Sequence, residues 1–142
     1  MKAREYFKQI KREQIEIVQL QEKIDTAEAS LLPKAIRYDL DKVQTSPEDP
    51  MYDVLAEVEE YKKEMLKRLH RLILRRIKAI RMLDQLSDTR QRQALFLYYL
   101  DPSLLTMEQV GEKMIYSERE AWRIHDAAMA KLEKLSVNGR QH

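Results

Sequence analysis

From Met51 to Leu86 the chain contains neither glycine nor proline, and nothing else in the sequence constrains the fold as strongly. Over this stretch Leu55, Val58, Tyr61, Met65, Leu69, Leu72, Ile73, Ile77, Ile80, Leu83 and Leu86 recur at three-to-four spacing, the period of one face of an α-helix. A helix of about 35 residues is roughly 50 Å long. It cannot bury such a stripe alone, so either the N-terminal segment folds back along it or a second copy packs there.

The N-terminal segment has the matching pattern. Ile10, Ile17, Ile24 and Leu31 recur every seven residues; Leu20 and Ala27 are apolar three positions beyond Ile17 and Ile24, and Glu13 interrupts that second row. The spacing predicts a helix from about Lys2 to Leu32. Pro33 disfavours helix at Leu32, and Thr45-Ser46-Pro47 with Asp49-Pro50 suits a loop or a helix start, so a connection is expected over 34–50. Residues 1–86 therefore read as a long, coiled-coil-like helical hairpin for oligomerisation or partner binding, and residues 87–142 as a separate domain.

With two glycines and four prolines in 142 residues, and no sustained strand alternation, an all-α chain without a sheet is expected. The absence of cysteine excludes disulfides, thiolate zinc sites, iron–sulfur clusters and thiol nucleophiles, and it suits a reducing cytoplasm. The opening MKAREYFKQIKREQ lacks the apolar core of an export signal, and no later stretch has the length of uncharged apolar sequence that a membrane span needs. His70, His125 and His142 form no metal-binding pair, and two isolated glycines do not build a phosphate loop. No enzyme activity, cofactor or metal is expected.

Net charge is only +2, but it is unevenly spread: residues 1–61 carry 9 Lys/Arg and 14 Asp/Glu, residues 62–92 carry 11 and 3, and residues 93–142 carry 6 and 7. Lys67, Arg71, Arg75 and Lys78 form a basic row on the long helix, with Arg68 and His70 nearby. Such a row either tracks phosphates or is a solvated face whose stems cover apolar surface, and the second is the reading we favour. After the N-cap candidates Ser87-Asp88-Thr89, Gln93 to Leu100 reads as a short apolar helix ended by Asp101-Pro102-Ser103; its aromatic residues read as core.

Residues 106–132, TMEQVGEKMIYSEREAWRIHDAAMAKL, carry the most specific signal. Thr106 with Gln109, and Ser117 with Glu120, are two capping boxes, so helices are expected to start at Thr106 and Ser117 with Met114, Ile115 and Tyr116 between them. A three-residue connection is the spacing of a helix-turn-helix. Gly111, unfavourable within a helix, reads as the point where the second helix approaches closely. On that helix Ala121, Ile124, Ala128 and Leu132 share one face, and Arg119, Trp122, Arg123 and Asp126 the opposite one. An arginine can donate two hydrogen bonds to guanine in the major groove and a broad side chain can pack on a thymine methyl, so Arg119, Trp122 and Arg123 are the candidate base contacts, and Asp126 on the same face is a further candidate DNA-binding residue. Ser117 caps a helix terminus suited to a phosphate. The competing reading pairs the arginines with nearby acids and packs Trp122 under the long helix.

This segment resembles the C-terminal helix-turn-helix of bacterial sigma factors, region four, aligning without a gap. Thr106, Glu108, Gly111, Ser117, Ile124, Ala128, Lys131 and Leu132 match its pattern, and Met107, Val110 and Met129 are conservative. The resemblance implies promoter contact at Glu118, Arg119, Trp122 and Arg123; Glu118 and Trp122 stand where basic residues are usual, and Ile115 replaces a turn glycine. Nearly the whole chain is similar to small sigma-like late transcription regulators of phages and prophages of Gram-positive bacteria, related to the autolysin-regulator group. The helical N-terminal half, Val43-Gln44-Thr45-Ser46 followed by Asp49, and the closing Tyr98-Tyr99-Leu100 to Trp122-Arg123-Ile124-His125 carry that similarity. It implies activation of late phage genes in the host cytoplasm through binding of double-stranded DNA, and no enzyme activity. Two alternatives stay open: a phage DNA-packaging small subunit, and a protein-binding module docking on RNA polymerase. A homo-oligomer through the long helices is a further expected partner.

Overall fold

The structure, a computed structural model, describes residues 2–41 and 50–140, with side chains placed for 2–30 and 50–135. Among the described residues there are five α-helices and no strand: α1 (Ala3–Asp41), α2 (Pro50–Leu83), α3 (Thr89–Leu95), α4 (Met107–Met114) and α5 (Glu118–Arg140). The chain is all-α. Among these residues no helix is long and apolar enough to cross a membrane.

One expectation about the N-terminal half is corrected. The first helix does not end at Leu32: α1 continues through Pro33 to Asp41, so the connection does not begin at residue 34. Proline inside a helix removes one amide donor and crowds the preceding turn, yet its own φ is helical, so a helix can continue past it. The Val43-Gln44-Thr45-Ser46 segment and Asp49 lie outside the described residues. The chain forms two compact units, residues 1–15 with 72–142, and residues 16–71.

In the first unit the start of α1 is integral to the C-terminal core. Ala3, Phe7 and Ile10 are buried at three-to-four spacing, and the Phe7 ring packs 5.5 Å from that of Tyr99. Gln14, also buried, continues the row and uses both ends of its amide: Nε2 donates to the Tyr99 carbonyl at 2.7 Å, and Oε1 accepts from Arg76 at 2.8 Å. Glu13, the residue that interrupts the apolar row, is ion-paired with Arg75. From α2 the unit buries Leu72, Ala79 and Leu83, with Leu86 beyond the helix end, whereas Ile73, Leu74, Ile77 and Ile80 stay exposed. The single stripe read along Met51–Leu86 is thus two adjacent rows here, and only one is covered.

The second unit is a pair of antiparallel helical segments. Among the described residues its buried apolar side chains are Leu20 and Ile24 of α1 and Met51 and Val58 of α2, while Leu55, expected in the stripe, is exposed. Glu28–Lys62 at 3.3 Å and Glu16–Arg68 at 3.0 Å fix the antiparallel direction. Exposed pairs of this kind contribute about 0–1 kcal/mol each.

α3 starts at Thr89, four residues before the expected Gln93, because Asp88 caps it by accepting from the amides of Arg90 at 2.8 Å and Gln91 at 3.4 Å. It passes into a π-helical turn, Phe96–Leu100, closed by the Asp101 amide on the Phe96 carbonyl at 3.0 Å. Leu95, Tyr99 and Leu100 are buried, as expected of core aromatics and leucines, while Phe96 lies outside. The extra residue per turn brings Tyr99 and Leu100 inward together.

Candidate functional site

The geometry of α4 and α5 begins with their caps. Thr106 makes both halves of its capping box: the Gln109 amide donates to Thr106 Oγ1 at 3.2 Å and the Thr106 amide to Gln109 Oε1 at 2.9 Å. At α5 the Glu120 amide donates to Ser117 Oγ at 3.1 Å, while the Glu120 carboxylate accepts from Arg123 at 2.8 Å. Both helices start where their hydroxyl caps stand. Between them Ile115 adopts the left-handed conformation (φ 62°, ψ 45°) and is 91% exposed, and the Tyr116 amide returns to the Gly111 carbonyl at 2.8 Å.

Gly111 has the packing role its position implied. A Cβ built there would lie 2.7 Å from the Tyr116 carbonyl oxygen and 3.1 Å from that of Ser117. The turn residue Tyr116 and the N-cap Ser117 rest on the bare backbone of α4. Leu105, Met107, Val110 and Ala121 form the small core beneath, flanked by Leu97, Tyr98 and Met114. Ala121, Ile124, Ala128 and Leu132 are buried, and Arg119, Arg123 and Asp126 face out, so the two faces of α5 divide as read from the sequence.

The outward residues differ in how free they are. No carboxylate among the described residues pairs with Arg119. Arg123 is held to Glu120, though its side chain is 79% exposed. Asp126 lies 3.9 Å from Arg4 and accepts from His125 Nδ1 at 2.9 Å. Trp122 is exposed, with one side of its ring 5.5 Å from Tyr98 and 5.1 Å from His125, both edge-on.

His125 belongs to the core. It is 2% exposed, and because a carboxylate only accepts, the proton must sit on Nδ1 facing Asp126; Nε2 then accepts from Tyr99 Oη at 2.7 Å. Burial pushes the imidazole below its ordinary pKa, opposed by Asp126, and burial pushes the Tyr99 phenol up. Both groups are neutral at pH 7 and fully paired.

Of the basic row on α2, Arg75 and Lys78 belong to the first unit and turn onto α1: Arg75 is paired with Glu13, its carbonyl accepts from Tyr6 Oη at 3.1 Å, and Lys78 Nζ lies 5.2 Å over the Tyr6 ring. Lys67 and Arg71, in the second unit, are exposed. The row is not one uniform face.

Four cations that sequence reasoning passed over lie beside α5. Arg4, Lys8, Lys11 and Arg12 of α1 border a groove of about 570 Å³ whose floor is made by Tyr98, Tyr99, Trp122 and His125. Lys11 is fixed there, donating to the Leu105 carbonyl at 2.8 Å with its ammonium 3.4 Å over the Tyr98 ring, and burial lowers its pKa to about 8. Their spacing along one face was the available signal, hidden by the acidic sum of residues 1–61. Among the described residues no cluster of His, Asp or Glu could hold a metal ion. Compared with family models, curated proteins and solved structures, the chain matches none.

Proposed function

We propose that the chain binds duplex DNA sequence-specifically through the first turns of α5 and thereby regulates transcription. The observation that carries this reading is the exposure of Arg119, Trp122 and Arg123 on a capped helix that a three-residue turn holds against Gly111 of the preceding helix. In the major groove Arg119 and Arg123 would donate to guanine edges, Arg123 after exchanging Glu120 for the base, and Trp122 would pack on thymine methyls. Ser117 would leave its helix terminus facing a phosphate, and Asp126 would hold Arg4 rather than touch a base. The similarity to sigma-like regulators supports a role in activating late phage genes. A homo-oligomer through the long helices finds support in the exposed Ile73, Ile77 and Ile80 of α2.

A second reading, docking on RNA polymerase or another protein, draws on the Arg123–Glu120 pair, which leaves less free positive charge on α5. Selection of bound fragments from a source genome at two salt concentrations separates the two. Enrichment of one promoter site that persists at the higher salt supports DNA regulation. Retention of polymerase with no enriched fragment overturns it.

A further inference from the structure

We infer that the groove between the N-terminal turns of α1 and the Trp122–Tyr98 edge holds the sugar–phosphate backbone of one DNA strand, with Lys8 and Arg12 as its phosphate contacts. The inference rests on the reading of α5 as the helix that meets duplex DNA.

Charge gives the sign of the ligand. Among the described residues Lys8 and Arg12 have no carboxylate partner, whereas Arg4 has Asp126 and Lys11 is committed to the Leu105 carbonyl and the Tyr98 ring. Two uncommitted cations on one wall call for an anion, and Glu5 is the acid that shares the lining with them. Lys8 and Arg12 are one helical turn apart, about 6 Å along the axis. That step is comparable to the distance between successive phosphates of one strand.

The floor gives the shape. Tyr99 and His125 are closed off by burial and by each other, which leaves Trp122, 38% exposed, the edge of Tyr98 and the exposed Ile15 as the apolar surface. A deoxyribose presents an apolar face between two phosphates and matches a floor of this kind beneath a cationic rim. Trp122 belongs both to the groove and to the exposed face of α5, so a strand lying in the groove continues onto that helix. This continuity favours a nucleic-acid strand over an acidic polypeptide. Contacts of this class fix register without reading sequence.

Trp122 is the one tryptophan of the chain, so its emission reports on the groove directly. The test titrates the full chain with a short random-sequence duplex and, separately, with poly-glutamate, at several salt concentrations. Wild type is expected to show quenching by the duplex. Lys8→Gln with Arg12→Gln should weaken binding of all duplexes alike and make the salt dependence shallower by about two units of slope, at about 0.9 per phosphate contact. Lys8→Arg with Arg12→Lys should restore the slope. Both side chains are exposed, so an unchanged melting temperature is expected; should the double variant unfold, the single Lys8→Gln and Arg12→Gln variants each carry half of the slope change. If duplex binds wild type and the Gln variants keep its affinity and slope, the inference falls and the proposed function stands. Quenching by poly-glutamate as strong as by duplex assigns the groove to protein and overturns the inference. If no duplex binds at all, both fall together.

Discussion

The unit formed by residues 1–15 and 72–142 and the unit formed by 16–71 are built from similar helices and hold together differently. The first seals aromatic, aliphatic and polar side chains around Tyr99 and His125, with hydrogen-bond partners for both, whereas the second buries Leu20, Ile24, Met51 and Val58 along a two-helix seam edged by exposed ion pairs. Two helices offer each side chain one neighbouring surface; the first unit offers several. Heptad periodicity therefore buys less burial than the three-dimensional closure supplied by short helices and tight turns.

The largest effects should come from equal truncations in the two units. Leu132→Ala, at a side chain only 2% exposed, should cost about 4 kcal/mol, and Leu20→Ala, at 8%, about 2 kcal/mol, because a cavity at the two-helix seam can relax or admit water. Chemical denaturation of both variants measures this. Equal losses would mean that the seam is as closely packed as the C-terminal core.

Gly111→Ala tests the closeness itself. In an unencumbered helix the change stabilises by about 1 kcal/mol. Here the new methyl meets two carbonyl oxygens of the turn, backbone atoms that cannot rotate away, and the expected outcome is a loss of about 2 kcal/mol together with weakened duplex binding. A rise in melting temperature would show that α5 does not rest on this residue.

Next in size is the Tyr99–His125 pair. Tyr99→Phe leaves the buried Nε2 without its donor and should cost about 1–2 kcal/mol. The sign of the pH effect follows from burial, which lowers the folded pKa of His125 below the ordinary 6.5. The unfolded chain takes up the proton first, so the contribution is full above about pH 6.5 and is lost as pH falls through that value toward the folded pKa. A His125→Gln variant should flatten the stability curve across pH 5–7, which thermal melts at stepped pH would reveal.

What the sequence disclosed about these units follows the same contrast. Signals confined to neighbouring positions were legible: the caps at Thr106 and Ser117, the role of Gly111, and the division of α5 into an Ala121–Ile124–Ala128–Leu132 face and an arginine face. Features that depend on distant residues were not. The Tyr99–His125 hydrogen bond joins positions 26 apart, Gln14 meets Tyr99 across 85, and Lys11 reaches Leu105 across 94. Periodicity also located α2 but could not tell which of its two apolar rows α1 covers, since Leu72 and Ile73 are equally apolar and differ only in the neighbour they meet. The groove cations escaped for a related reason: Glu13, Glu16 and Glu22 outweigh Lys8 and Arg12 in a segment sum, although each charge acts where the helix face puts it.

The smallest expected effect lies at the turn that joins α4 to α5. Ile115 holds φ 62° with its side chain 91% exposed, so the left-handed conformation is imposed on a β-branched residue that gains no burial in return. That conformation costs a residue with a Cβ about 1–2 kcal/mol, and glycine adopts it freely, though glycine loses more chain entropy on folding. Ile115→Gly should therefore stabilise the first unit by about 1 kcal/mol, seen as a higher melting temperature with unchanged duplex affinity. The second unit should not respond: amide exchange within 16–30 and 51–71 should stay as in the wild type while protection rises around 107–132. Were exchange to slow equally in both, the two units would unfold as one, and the contrast between a closed core and a two-helix seam would describe packing but not cooperativity.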